Sequence, residues 1–260
     1  MILEERAYIK MKFSKRMDFF GESIFTTLAN MRSERKKQGL EVIDLSIGAP
    51  NIPPTQEVME TIAKEALKPE NYLYAIKDSV DLQNTVKEWY ERRYGVVIDP
   101  TTELTSLLGS QDGLAHLALT LVDEGDTVLV QDPCYPIFRD GPLLAGAHVV
   151  TMPLLKENNY LIDFDRIDEK TAQDAKYMIV SYPNNPTCGV ANDEFYKKLI
   201  VFAKKYNIMV LHDNAYSELL FEGPGHSFLE FEGAKDVGIE FNSLSKTYGL
   251  AGARIGFALG

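Results

Sequence analysis

An α/β fold, with a mainly parallel sheet packed between helices, is predicted by three observations. Short apolar runs alternate with helical segments along most of the 260 residues, and a hydrophobic content of 45% is enough for a sizeable core. Four of the apolar runs also end directly in chemically capable residues, as strands do when their carboxyl ends feed one crevice.

In chain order, residues 1 to about 40 read as a polar, helix-bearing arm. Ser23-Ile-Phe-Thr-Thr-Leu-Ala-Asn-Met places apolar residues near helical spacing, and Lys37-Gln-Gly supplies a stop. The basic run Arg32 to Lys37 reads as a solvated helix face. Val42-Ile-Asp-Leu-Ser-Ile is expected as a short strand that breaks at Gly48. Helices are expected over Gln56 to Leu67, Asp81 to Tyr94, Gly113 to Val122 and Asp193 to Tyr206. The interleaved runs are Thr127 to Gln131, His148 to Met152, Tyr177 to Ser181, Ile208 to His212, Val237 to Phe241 and Ile255 to Leu259.

Composition removes several function classes. A formal charge of -11 argues against nucleic acid, whose phosphates are bound by clustered Lys and Arg. The apolar stretches fall short of the ~18 residues that a membrane helix needs, and Met1-Ile-Leu-Glu-Glu-Arg lacks the basic-then-apolar order of a secretory signal. A soluble cytoplasmic protein without a membrane partner is expected. Cys134 and Cys188 lie outside metal-ligand spacing and are expected as buried structural thiols, and His116, His148, His212 and His226 lack the i, i+4 spacing of a helical metal pair. No metal site is expected. Nucleophile-elbow, Walker A and dinucleotide-binding glycine patterns are missing from the sequence.

The strand-end segments carry the chemistry. Leu108-Gly-Ser-Gln-Asp-Gly turns into a helix and presents the backbone N–H groups of Ser110 and Gln111 at the positive end of its dipole, a pattern that fits ordinary capping or a phosphate seat. Ser181-Tyr-Pro-Asn-Asn-Pro-Thr is a rigid turn in which a cis proline bond would fix Asn185 in one orientation. Asp213 closes an apolar strand, where a carboxylate needs a compensating partner such as a protonated pyridine nitrogen, with Tyr216 three residues on. Ser243-Leu-Ser-Lys246 places a lysine at a strand end among small hydroxyl residues, and lysine forms Schiff bases with carbonyl compounds. Ser243, Ser245 and Arg254 can together hold a phosphate dianion.

Ser-Leu-Ser-Lys with a downstream Gly-x-Arg-x-Gly, Asn-Asn-Pro-Thr and Asp-x-x-Tyr, in this order over about residues 20 to 260, resemble the class I/II aminotransferases of PLP (pyridoxal 5'-phosphate) fold type I. The resemblance implies a large domain with a seven-stranded, mainly parallel sheet over residues 46–260. It also implies an N-terminal arm with part of a small domain over residues 1–45. The family's C-terminal small domain, which supplies an arginine for the substrate's α-carboxylate, is expected to be absent from a chain ending at Gly260. Lys246, Asp213 and Tyr216 are the implied catalytic set, with Lys246 holding PLP as a Schiff base. Asp213 is implied to pair with the pyridinium nitrogen, Asn185 and Tyr216 to hold the phenolic oxygen, and Tyr135 to stack on the ring. Ser110, Gln111, Ser243, Ser245 and Arg254 match the phosphate cup.

Tyr74, or else Tyr72, matches a tyrosine that reaches the neighbouring subunit's phosphate, implying a homodimer with a shared active site. Gly48 and Asn185 are implied substrate contacts. The implied reaction moves an amino group between an L-amino acid and a 2-oxo acid, with Asp-Leu-Ser-Ile-Gly-Ala-Pro and Tyr135 leaning toward the LL-diaminopimelate and aspartate branch. A PLP-dependent lyase of carbon–sulfur or cyclopropane-forming type would use the same residues. A non-catalytic PLP-binding regulatory module is the third reading, against which stand the acidic charge and the lack of a helix-turn-helix segment.

Overall fold

The computed structural model describes residues 11–46 and 48–260, and its chain divides into two compact units, Met1–Ile47 and Gly48–Gly260. The sequence suggested a break after residue 45. In the first unit, a short 3-10 turn at Lys15–Phe19 precedes α1 (Ile24–Lys37), which buries no residue and stops at Gly39, where φ is +73°. The first ten residues of the expected arm, including Met1 to Arg6, lie outside the described residues.

The expected strand at Val42 does not form. Residues 42–46 have no hydrogen-bonded partner strand, and Ile43 and Leu45 are 82% and 88% exposed. Apolar alternation marks a segment that can join a sheet, but a ladder partner is needed to make it one. Ile47, which completes that segment, is not among the described residues.

The second unit is a seven-stranded sheet flanked by helices. Its elements are α2 (Gln56–Glu65), α3 (Val80–Tyr94), β1 (Leu104–Leu107), α4 (Ser110–Leu121), β2 (Thr127–Asp132), α5 (Ile137–Ala145) and β3 (His148–Pro153). They continue with α6 (Glu169–Asp174), β4 (Ala175–Ser181), α7 (Asp193–Tyr206), β5 (Met209–Asp213), β6 (Gly238–Ser243), α8 (Leu244–Thr247) and β7 (Gly256–Leu259). The strand order is β1-β7-β6-β5-β4-β2-β3, parallel except for β7, which runs antiparallel to both neighbours. β1, α5 and α6 escaped the sequence reading. β1 is only four residues long and half-exposed, while α5 carries Gly141 and Pro142 inside it, residues that ordinarily argue against a helix.

Strands β2, β4 and β5 are buried on both faces, which explains their continuous apolar character. Val128, Val130, Tyr177, Ile179 and Leu211 meet Leu114 and Ala118 of α4 and Phe138 of α5. Leu129, Met178, Val180 and Val210 face the other way, toward Tyr90 of α3 and Phe195 and Leu199 of α7. Each fully buried Leu, Val or Phe contributes about 1.5–3 kcal/mol, so this two-sided alternation sets the register firmly. The covering helices are capped as their sequences suggest: Ser79 Oγ accepts from Leu82 N and Asn192 Oδ1 from Phe195 N, and Gly95 ends α3 at φ +68°.

Candidate active site

The sheet order brings the carboxyl ends of β2, β4, β5 and β6 side by side. Strand order reverses at β2, whose neighbours are β3 on one side and β4 on the other, and such switch points open a ligand crevice. Ser181 and Asp213 are register partners, as are Asp213 and Phe241, so the segments that follow β4, β5 and β6 leave from one rim.

Lys246 sits in α8, the single helical turn that follows β6, and this turn is started by Ser243 Oγ accepting from Ser245 N at 3.1 Å. Its Nζ donates to the Gly48 carbonyl oxygen and lies 5.9 Å from the centre of the Tyr216 ring. Partial burial, helped by the charge of Arg254, lowers the lysine's proton affinity below its ordinary value.

Asp213 ends β5 only 5% exposed, and its Oδ1 is buried without a hydrogen-bond partner. Burial, with the charge of Glu240 adding to it, pushes this carboxyl up to about 7. Tyr216 follows in the same loop and accepts a hydrogen bond from Asn185 Nδ2 at 3.3 Å. The Asn185 turn is itself fixed from below. Gln131 Oε1 of β2 accepts from Ser181 N and Asn184 Nδ2, Asn184 Oδ1 accepts from both the N–H and the hydroxyl of Thr187, and the Tyr182-Pro183 and Asn185-Pro186 bonds are cis.

The phosphate-seat residues also gather. As first-turn residues of α4, Ser110 and Gln111 have backbone N–H groups with no partner inside the helix. Gly256 of β7 passes so close that a Cβ there would stand 2.8 Å from Ser110 N, and Gly109 turns at φ +88° beneath the Arg254 guanidinium. Arg254 Nη2 donates to the Leu108 carbonyl at 3.4 Å, and the Ser243 and Ser245 hydroxyls are 2.9 Å apart. Tyr135 donates its hydroxyl to Gln111 Oε1 at 2.9 Å and packs edge-on against Phe138.

The expectation of buried cysteines does not hold, and Tyr74 and Tyr72 lie outside this cluster. Tyr74 is 100% exposed and meets none of these residues, whereas the Tyr72 hydroxyl is already bonded to the Ala66 carbonyl. Of the two cysteines expected to be buried, Cys134 is half-buried and Cys188 is exposed. The reason is local: Cys188 lies in the loop after Pro186 at φ +60°, outside the packed core. The sequence reading also missed Glu240 and His212, a buried pair directly behind the rim. A charged residue inside an apolar run was the available signal.

The arrangement suits a planar, phosphorylated, aldehyde-bearing heterocycle: an amine, a buried carboxyl with one unpartnered oxygen, a pair of phenolic-oxygen donors and an anion seat at a helix start. A family model described as "Aminotransferase class I and II" matches residues 41–260. An LL-diaminopimelate aminotransferase of Aquifex aeolicus is 44% identical over 96% of this chain and 65% of its own length. The substrate-bound BacF structure from Bacillus subtilis superposes with a TM-score of 0.90 at 36% identity, over 96% of this chain and 64% of that one. An aspartate aminotransferase double mutant of Thermus thermophilus superposes at 0.88 with 26% identity, over 96% and 65%. The chain thus spans about two thirds of the length of the relatives it matches.

Proposed function

Because the chain belongs to the aminotransferase class I and II family, we propose that it binds PLP and moves an amino group between an L-amino acid and a 2-oxo acid. The relatives' shared name suggests LL-diaminopimelate as the amino donor. The observation that carries the reading is Asp213: a buried carboxyl with an orphaned oxygen, at the strand end whose loop carries Tyr216, the ring that Lys246 Nζ approaches to 5.9 Å.

Tested on the residues present, the site fits the cofactor. Asp213 offers its unpartnered oxygen to a protonated ring nitrogen, and burial without such a cation is what makes the free carboxyl hold its own proton. Asn185 and Tyr216 present donors for the phenolic oxygen, Tyr135 a face for the ring. Ser110, Gln111, Ser243, Ser245 and Arg254 would hold its phosphate with backbone and side-chain donors and one full charge. When bound, PLP supplies an electron sink for charge that develops at the substrate's α-carbon.

The protein's own groups do the rest. Lys246 would hold the cofactor covalently through Nζ, and this amine, with a proton affinity lowered by partial burial, is the group that would take and return a proton at the substrate's α-carbon. Gly48 accepts a hydrogen bond from that amine through its carbonyl oxygen, and we assign it a backbone contact with the substrate. We assign the exposed Tyr74 to a contact with a second copy of the chain in a homodimer. No helix among the described residues is long and apolar enough to cross a membrane, in keeping with a cytoplasmic enzyme.

Incubation with PLP should give a visible absorption band that borohydride locks onto Lys246, and a panel of amino donors against 2-oxoglutarate should give LL-diaminopimelate as the preferred donor. Elimination products without conversion to the pyridoxamine form would replace transfer by the lyase reading. A protein that takes up no PLP at Lys246 would sink both.

A further inference from the structure

Glu240 lies inside β6, fully buried, where a carboxylate is costly unless hydrogen bonds or charges compensate it. Five donors converge on it. Oε1 accepts from Tyr90 OH of α3 at 2.8 Å, Asn214 Nδ2 at 3.1 Å and Ser227 Oγ at 2.8 Å; Oε2 accepts from Phe228 N at 2.6 Å and His212 Nδ1 at 3.0 Å.

The neighbours fix the proton directions. Ser227 Oγ already accepts from Leu229 N and Tyr90 OH from Asn242 Nδ2, while the Phe228 and Asn214 nitrogens can only donate. A protonated Glu240 would have to aim its own O–H at a donor, so the shell is built for the ionised carboxylate. None of the five donors is Lys or Arg. The titratable groups around it are Tyr90 and Tyr94 from α3, Tyr196 from α7 through its contact with His212 Nε2 at 3.4 Å, and His212 and Asp213 from β5. The Tyr196 hydroxyl lies 3.4 Å from His212 Nε2, so the imidazole bridges Tyr196 and Glu240.

This shell is tied to the candidate site by connectivity. His212 and Glu240 are register partners across β5 and β6. Asn214, bonded to Glu240, also donates its backbone N–H to Phe241 O at 2.8 Å. The residues on either side of Asp213 are therefore both bonded to the same carboxylate.

We propose that Glu240 is a positioning residue of the cofactor site: it clamps His212 and Asn214 on either side of Asp213, and it places a buried negative charge behind Asp213 that favours a cationic ring nitrogen in front of it. The inference rests on the reading of Asp213 as the partner of the PLP nitrogen. The raised proton affinity of Asp213, for which Glu240 is the second cause after burial, points the same way.

The test compares dissociation constants of PLP and of 1-deazapyridoxal 5'-phosphate, which has no ring nitrogen to protonate, for the protein and its Glu240→Gln and Glu240→Asp variants. Glu240→Gln should weaken PLP by about tenfold, the equivalent of one unit of proton affinity, and the deaza analogue by less than about twofold, with Glu240→Asp restoring the difference. Equal weakening of both compounds would make Glu240 a merely structural residue and overturn the inference alone. Failure of the unsubstituted protein to bind PLP at Lys246 would overturn the reading beneath it. Should Glu240→Gln not fold, Asn214→Leu, which removes one arm of the clamp, decides by the same comparison: it should weaken PLP more than the deaza analogue, and equal weakening of both would end the proposal.

Discussion

Asn185 donates its side-chain amide to the Tyr216 hydroxyl at 3.3 Å, joining two strand-end loops 31 positions apart in the chain. The bond sets both groups side by side where a phenolic oxygen would need donors. Tyr216→Phe and Asn185→Ala should each weaken PLP binding by about tenfold or more, the usual worth of a hydrogen bond to a charged group. Titration of the visible band against PLP concentration measures it, and unchanged affinity in both variants would remove these residues from the site.

Lys246→Ala should abolish borohydride labelling by PLP while leaving the unfolding temperature close to that of the unsubstituted protein, because the half-exposed amine contributes a single hydrogen bond to Gly48. Peptide mass analysis after reduction locates the label. A label that persists in the variant would place the attachment elsewhere.

Asp213 predicts a pH dependence of definite sign. Its carboxyl rises from 3.8 to about 7 in the folded, cofactor-free protein, so the folded state binds more protons than the unfolded one between these values. The stability this proton uptake supplies is fully present below 3.8 and is lost as pH climbs through about 7. Asp213→Asn, neutral throughout, should flatten that part of the curve and be the more stable protein above it. Urea midpoints across the range check both statements; a curve that rises from acid to neutral at this position would contradict them.

Gly256→Ala should destabilise by about 1–3 kcal/mol, the common cost of forcing atoms into a filled space. The new Cβ would stand 2.8 Å from Asn242 O and from Ser110 N, and these are backbone atoms that cannot swing aside. Since Ser110 opens α4, phosphate affinity should fall with the melting temperature, measurable by inorganic phosphate protection against thermal unfolding.

Tyr74 and Tyr72 should separate cleanly. Tyr72→Phe loses one exposed bond to the Ala66 carbonyl and should cost less than about 1 kcal/mol with PLP affinity intact. Tyr74→Phe should leave monomer stability unchanged and weaken PLP only where sedimentation shows a dimer. The opposite pattern would transfer the cross-subunit contact to Tyr72.

Much of this protein is legible in one dimension because its signals are local. Apolar runs name β2 to β7, helical spacing names α2, α3, α4 and α7, and strand-end residues such as Asp213 and Lys246 are chemically conspicuous wherever they occur. Pairing is not local. Val42 to Ser46 has the pattern of a strand and no ladder partner among the described residues, whereas β1, which hardly looks like a strand, becomes one by lying antiparallel to β7. The tertiary structure alone decides that Glu240 and His212 face each other across two strands and that five hydrogen-bonding groups converge on one buried carboxyl. Hydrogen bonds between residues 28 to 150 positions apart leave no periodic trace in the sequence, because the energy of a buried charge depends on what surrounds it in space.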